Sequence, residues 1–104
     1  MALKVIFRPR AEADLLALYR YIAEASGLGI ASDYIDRIEI ACMSLATFPK
    51  RGANRDDLAP GLRTIAFERR VTIAYRVLTT RVEIVTIAYG GRDFESDLRG
   101  DKKQ

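Results

Sequence analysis

The spacing of hydrophobic residues changes along the chain, from a helical period in the first half to a strand period in the second. After a short β-type run at residues 3–7, apolar residues recur every three or four positions over 9–25 and again over 31–48. This spacing is typical of amphipathic helices. Serine and glycine at 26–29 interrupt it, so the first half of the chain predicts one strand followed by two antiparallel helices.

The second half of the chain carries three segments with the pattern of β-strands. In residues 71–77, large apolar side chains alternate with smaller or polar ones, which predicts a strand with one buried face. Residues 62–67 and 82–89 are predicted as its neighbours, and 68–70 turns the chain back between the first two strands. Before them, the polar segment 50–57 has no period and is predicted as an irregular surface connection.

This order of elements, β-α-α-β-β-β, predicts an α+β fold in which a two-helix antiparallel hairpin packs on one face of a small, mainly antiparallel β-sheet. The pattern does not place the first strand within that sheet. With 104 residues the chain is long enough for one core and too short for two. We therefore predict a single domain over 1–104, with a frayed tail at 99–104.

Cysteine content and hydropathy indicate the compartment. Cys42 is the only cysteine, so an intrachain disulfide is excluded and a reducing compartment is favoured. Its apolar helical neighbours predict a small buried side chain. No stretch approaches the ~20 consecutive apolar residues of a membrane-spanning helix, and no signal peptide is recognisable. We therefore expect a soluble, cytoplasmic protein that does not bind membranes.

Basic residues are concentrated in the second half of the chain. The formal net charge is only +3, but residues 49–104 hold twelve basic and eight acidic side chains. Within 60–92 only Glu68 and Glu83 oppose the arginines, which are Arg63, Arg69, Arg70, Arg76, Arg81 and Arg92. This imbalance predicts an acidic partner.

The chain contains no histidine, which excludes Ser-His-Asp and Cys-His nucleophilic systems, imidazole general bases and histidine metal sites. Asp33, Asp36 and Glu39 are spaced to share the solvent side of the second helix. We therefore predict no metal site and no cofactor. Arg63 and Arg92 could grip a phosphodiester and stabilise the charge that develops during cleavage. Cleavage also requires a proton acceptor, which the sequence does not reveal, so an arginine cluster that only binds is the simpler interpretation.

Several motifs together resemble the RelE/ParE superfamily of bacterial type II toxins. They are RPRAEADLLALYRYIA near the N-terminus, FPKRG at the end of the second helix, DDLAPGLRTIAF leading into the sheet, and IAYRV followed by VEIVTIAYGGRD. The match covers nearly the whole chain and implies a RelE/ParE-like fold. The motifs look more like the ParE branch, which resembles DNA gyrase inhibitors, than the RelE branch of ribosome-dependent mRNA endonucleases.

Three positions separate these two branches. Arg92 lies where a RelE-type nuclease has a catalytic arginine, but Phe67 lies where it has another and Leu98 where it has its C-terminal tyrosine base. The resemblance therefore implies a toxin that inhibits DNA gyrase by binding, without catalytic residues. A metal-independent RelE-type endoribonuclease and a non-toxic paralogue that still binds antitoxin are the alternatives.

The same resemblance implies a cognate antitoxin, encoded beside the toxin, whose acidic or amphipathic tail folds over the toxin to give a hetero-oligomer. DNA gyrase is the expected target, and no direct DNA binding by this chain is expected. The residues predicted to contact the antitoxin or the target are Arg63, Arg69, Arg70, Arg76 and Arg92, together with whichever of Leu15, Leu18, Tyr19 and Ile22 the sheet leaves uncovered.

Overall fold

A computed structural model describes residues 3–90 of the chain. Over this range the order of elements is β1 (Lys4–Phe7), α1 (Pro9–Ser26), α2 (Leu28–Met43), β2 (Ala53–Asn54), β3 (Leu62–Phe67), β4 (Val71–Val77) and β5 (Arg81–Tyr89). The predicted β-α-α-β-β-β order is confirmed, and β2 is an additional short strand before β3.

The strands form one sheet in the order β1-β5-β4-β3-β2. β3, β4 and β5 are antiparallel neighbours, as predicted. β1 lies at one edge and runs parallel to β5, with Lys4 opposite Arg81. Parallel neighbours need a long crossover connection, and here the helix hairpin lies within it. The sheet is therefore antiparallel apart from this edge pair.

The helix hairpin covers one face of the sheet and encloses the main core. Apolar positions of both helices meet the inward side chains of β4 and β5, and the fully buried members of this core include Ala11, Ile38, Cys42, Leu45, Ile73, Tyr75, Val82 and Ile84. Burying each of the larger side chains contributes about 1.5–3 kcal/mol. On the other face, Leu58 and Ala59 pack over Leu62, Ala74 and Ala88. Neither described helix is long and apolar enough to cross a membrane.

Two boundaries differ from the sequence prediction. The second helix ends at Met43 and continues as one 3-10 turn, Ser44–Ala46, instead of reaching Phe48. Leu45 is still fully buried, so the hydrophobic period extends beyond the α-helical hydrogen bonding. The segment 50–57 is also less irregular than predicted, because β2 within it pairs with the edge of β3.

A β-bulge in β5 joins α1 to the sheet. The register between β4 and β5 shifts after Ala74 and leaves Val85 as the extra residue. Just beyond it, the carboxylate of Asp14 on α1 accepts hydrogen bonds from the hydroxyl of Thr86 (2.6 Å) and the amide of Ile87 (2.9 Å). These bonds fix the helix against the strand on the way to the Tyr89 end of β5.

Candidate partner-binding surface

The side chain of Arg63, the first of the predicted contact residues, binds the backbone of its own chain. From β3, its Nη1 donates hydrogen bonds to the carbonyl oxygens of Gly52 (2.7 Å) and Lys50 (3.1 Å). The phenol of Tyr75, opposite on β4, accepts a bond from the amide of Gly52 (3.0 Å) and donates one to the carbonyl of Pro49 (2.8 Å). Arg63 and Tyr75 therefore hold the segment that follows the helices.

Arg76 lies on β4 between Leu62 of β3 and Glu83 of β5. Its Nε is buried and has no hydrogen-bond partner within residues 3–90. The carboxylate of Glu83 is bound by two other arginines, Arg81 at 2.9 Å and Arg8 at 3.4 Å. The hydrogen bond from Arg81 is the main reason that the pKa of Glu83 is lowered. This part of the sheet is cationic, and its carboxylate already has partners.

Arg69 and Arg70 lie at the tip of the β3–β4 hairpin, where their side chains are exposed and make no hydrogen bond or ion pair in the described part of the chain. The turn closes with the amide of Arg70 donating to the carbonyl of Phe67 (3.1 Å). Within this turn, between Phe67 and Arg70, Glu68 and Arg69 have φ values of 50° and 64°. Positive φ at both positions is usual for Asn or Gly and costs about 1–2 kcal/mol for each of the other L-residues, so the turn is strained.

Four side chains, Tyr34, Arg37, Phe67 and Glu68, hold this turn against α2, and we refer to them as the hairpin latch. The guanidinium of Arg37 donates from Nε and Nη2 to the two carboxylate oxygens of Glu68, at 3.1 and 3.3 Å. It also lies over the ring of Tyr34, 5.2 Å from the centroid. Tyr34 in turn meets Phe67 edge to face at 5.6 Å. An exposed ion pair is weak alone, but these contacts together fix the position of the tip.

A pocket of about 320 Å³ lies beside the hairpin latch, and we refer to it as the tyrosine pocket. Its walls come from the end of α1, the start of α2, the hairpin tip and the end of β5, and the lining residues are Tyr21, Ile22, Ala25, Ser26, Ile30, Tyr34, Arg70 and Tyr89. A second hollow of about 380 Å³ shares Tyr21 and Tyr89 with it. Tyr21 and Ile30 are each 59% exposed, and large exposed apolar side chains of this kind mark interaction surfaces.

The predicted apolar contacts on α1 divide between core and surface. Leu15 and Leu18 are only 8% and 5% exposed and belong to the core, although Leu18 also lines the second hollow. Tyr19 and Ile22 are partly exposed, and Ile22 lines the tyrosine pocket. The sheet therefore leaves the end of α1 available and covers its middle.

Other sequence predictions lie beyond the described residues. They concern Arg92, Leu98 and the tail 99–104. Within residues 3–90, Arg69 and Arg70 are the two predicted contact arginines that are exposed and whose side chains have no partner.

Tyr34, Arg37 and Glu68 were not predicted as site residues. The sequence held one signal, because Arg37 is the single basic residue of α2 and Glu68 is one of two acidic residues in the strand-rich segment. They are 31 residues apart in sequence, so spacing alone could not pair them.

The surface offers cations, phenol groups and apolar side chains. Within residues 3–90 no group of three or more cysteine and carboxylate side chains is placed to hold a metal ion. Burial raises the pKa of the Cys42 thiol to about 12, which keeps it protonated and unreactive. The fold and this surface define a small α+β domain whose hairpin tip presents exposed cations beside an apolar pocket.

Comparison with known proteins shows which family has this fold. A family model described as the ParE toxin of the type II toxin-antitoxin system, parDE, matches residues 5–94. The chain belongs to this ParE toxin family. It is 34% identical to toxin ParE3 of Caulobacter vibrioides over 85 residues, and this aligned region covers 82% of this chain and 84% of the relative.

Solved structures agree with the fold. The chain is similar to a structure described as the chromosomal ParDE toxin-antitoxin system from P. aeruginosa, with a TM-score of 0.75, 26% identity, and coverage of 86% of this chain and 97% of the other. A structure of the toxin-antitoxin complex RelBE2 from Mycobacterium tuberculosis gives a TM-score of 0.57 at 21% identity and covers 86% and 99% of the two chains. The latter match concerns the fold alone. The resemblance to a RelE/ParE-like toxin of the ParE branch is confirmed.

Proposed function

We propose that this ParE-family toxin arrests bacterial growth by binding and inhibiting DNA gyrase, and that a cognate antitoxin neutralises it by direct binding. The observation that carries the proposal is the hairpin tip beside the tyrosine pocket. There the exposed Arg70 adjoins apolar side chains, and neither Arg69 nor Arg70 has an acidic partner within residues 3–90. An acidic, amphipathic segment would complement both features, with carboxylates for the arginines and apolar side chains for the pocket.

Two further observations support binding over catalysis. The chain has no histidine, so the commonest general base of enzymes is missing. Phe67 occupies the position at which the resemblance would give a RelE-type nuclease an arginine, and its ring packs against Tyr34. This position therefore serves the attachment of the hairpin to α2.

The test combines growth and enzyme assays. The chain is expressed from a tightly controlled promoter in a bacterium that lacks the module, with and without the small neighbouring reading frame. We expect growth arrest that co-expression of the neighbour relieves. The purified chain should inhibit the supercoiling of relaxed plasmid by purified gyrase, and the purified neighbour should restore supercoiling.

Other outcomes would reject parts of the proposal. Cleavage of mRNA on ribosomes that Arg92→Ala abolishes, with normal gyrase supercoiling, would identify a RelE-type endoribonuclease. Binding of the neighbouring protein without growth arrest or gyrase inhibition would identify a non-toxic paralogue. Harmless expression of a folded chain, checked by circular dichroism, would reject the toxin activity itself.

A further inference from the structure

The hydroxyl of Tyr34 is a hydrogen-bonding group without a partner. Its oxygen is buried and makes no hydrogen bond with any residue in 3–90, and it belongs to a side chain that lines the tyrosine pocket. Burial, followed by the nearby Glu68 and Tyr89, raises the pKa of Tyr34, so the hydroxyl stays protonated and can donate. A buried donor that is left unpaired is costly. The hydroxyl is closed off in the free chain, so partner binding must shift neighbouring side chains before an acceptor reaches it, and that acceptor would remove the cost.

Arg70 lines the same pocket as Tyr34 and has no ion pair among the described residues. The pocket thus combines a cation with a neutral donor, which together match a carboxylate. The other lining side chains, which include Ile22 and Ala25, are mostly apolar. A carboxylate next to a bulky apolar group would therefore satisfy the whole site.

The hairpin latch holds this arrangement together through contacts within the chain. Glu68 and Arg69 keep backbone conformations that L-residues rarely adopt, and Arg37 binds Glu68 through two hydrogen bonds. The latch itself includes Tyr34, so the pocket donor and the hairpin tip are fixed by the same contacts. Strain that the surrounding contacts maintain is common at binding sites, where it keeps groups in place for a ligand.

We propose that the tyrosine pocket is where the antitoxin is recognised, through a segment that places a carboxylate against the Tyr34 hydroxyl and the Arg70 guanidinium and an apolar side chain in the pocket. This inference rests on the proposed neutralisation by an antitoxin. A protein segment fits better than a nucleic acid, because a phosphate backbone would use the arginines and leave the apolar lining unfilled.

The test measures affinity and stability on the same variants. The purified antitoxin encoded beside the toxin is titrated into the full chain by calorimetry, and the free chain is melted separately. Tyr34→Phe should weaken binding about 3- to 10-fold and leave the Tm of the free chain unchanged or raised, because it removes an unpartnered hydroxyl and keeps the ring. Arg70→Glu should weaken binding at least about 30-fold, because it places a like charge against the carboxylate.

Lys50→Glu is the matched control, since it makes the same reversal of charge at an exposed position away from the pocket and should leave the affinity within about twofold. If Tyr34→Phe and Arg70→Glu also stay within about twofold while the wild-type chain binds antitoxin, the pocket assignment is wrong and neutralisation by antitoxin stands. If the wild-type chain does not bind antitoxin, the neutralisation proposal fails and the pocket assignment fails with it. Tighter binding of a short RNA or DNA duplex than of antitoxin, lost in Arg70→Glu, would replace the protein partner with a nucleic acid.

Discussion

Tyr75 joins two parts of the fold that are far apart in sequence. The alternation in β4 predicts that it is buried, and the structure confirms this at 0% exposure. Its hydrogen bonds to Gly52 and Pro49 could not be predicted, because these residues lie 23 and 26 positions away. Residue spacing defines which face a side chain takes, but it contains no information about the backbone groups that approach that face.

The approach of the backbone to Tyr75 leads to a prediction about Gly52. A Cβ at this position would lie 2.5 Å from the Tyr75 hydroxyl oxygen and 2.8 Å from the carbonyl oxygen of Thr64. Gly52→Ala should therefore lower the free energy of unfolding by about 2–3 kcal/mol, through overpacking and lost hydrogen bonds. Urea denaturation followed by circular dichroism measures it.

Gly29 in α2 provides the comparison, because a Cβ there has no neighbour within 4 Å. Gly29→Ala should raise the free energy of unfolding by about 0.5 kcal/mol, as helix propensity favours alanine. Equal effects of the two substitutions would show that the close approach at Gly52 has little energetic weight.

At the scale of elements, the sequence predicts what is local and misses what is paired over long distances. The sequence predicts the strand at residues 3–7 but not its parallel position beside β5. In the structure this pairing ends with the amide of Arg8 donating a hydrogen bond to the carbonyl of Ile84 (3.0 Å). A four-residue strand offers too few positions to define its register. The sequence does not predict β2, because a strand of two residues is too short to show any alternation.

The β3–β4 hairpin yields a prediction about strain. Arg69 has a φ of 64°, which costs about 1–2 kcal/mol for an L-residue, whereas glycine adds about 0.4–1 kcal/mol of chain entropy in the unfolded state. Arg69→Gly should therefore raise the free energy of unfolding by about 0.5–1 kcal/mol, measured by urea denaturation. Arg70→Gly removes a neighbouring arginine at a position without positive φ and should not stabilise. Equal changes in both variants would contradict the role of strain.

The ion pairs of Glu83 on β5 lead to a prediction about acid. The hydrogen bond from Arg81 lowers the pKa of Glu83 in the folded chain, so this carboxylate binds a proton more readily in the unfolded state. Its contribution to stability is present above the ordinary glutamate pKa of about 4.3 and is lost as the pH falls through the lowered folded value. The difference in unfolding free energy between wild type and Glu83→Gln should therefore shrink below about pH 4.

Urea denaturation of both proteins from about pH 3 to pH 7 measures this difference. Glu24→Gln, an exposed substitution on α1, corrects for the general loss of one negative charge. A difference between wild type and Glu83→Gln that stays constant over the whole pH range would show that the arginines stabilise the folded chain equally with neutral and charged Glu83.

At the scale of the whole molecule, the sequence located the excess of positive charge but not its organisation. Arg76 has a buried Nε without a hydrogen-bond partner in residues 3–90, and the other described arginines of the strand-rich segment divide into three environments. Arg63 holds the backbone of Gly52, Arg81 binds Glu83, and the side chains of Arg69 and Arg70 have no partner in the described chain. Strand alternation assigns each arginine a face, whereas its partners depend on other segments, so this division could not be predicted from the sequence.

Because both acidic residues of the strand-rich segment, Glu68 and Glu83, are bound by arginines of the same chain, a partner that approaches the hairpin tip meets the positive field of Arg69 and Arg70. Such a field accelerates encounter and is screened over a Debye length of about 10 Å at 0.1 M salt. Raising NaCl from about 0.05 M to about 0.5 M should therefore slow association with the antitoxin about 10- to 100-fold and change dissociation much less.

Stopped-flow fluorescence measures both rates. In the double variant Arg69→Ala/Arg70→Ala, association at low salt should be slower and its dependence on salt weaker. A salt effect confined to dissociation would mean that the hairpin tip acts only after contact, as part of the bound interface.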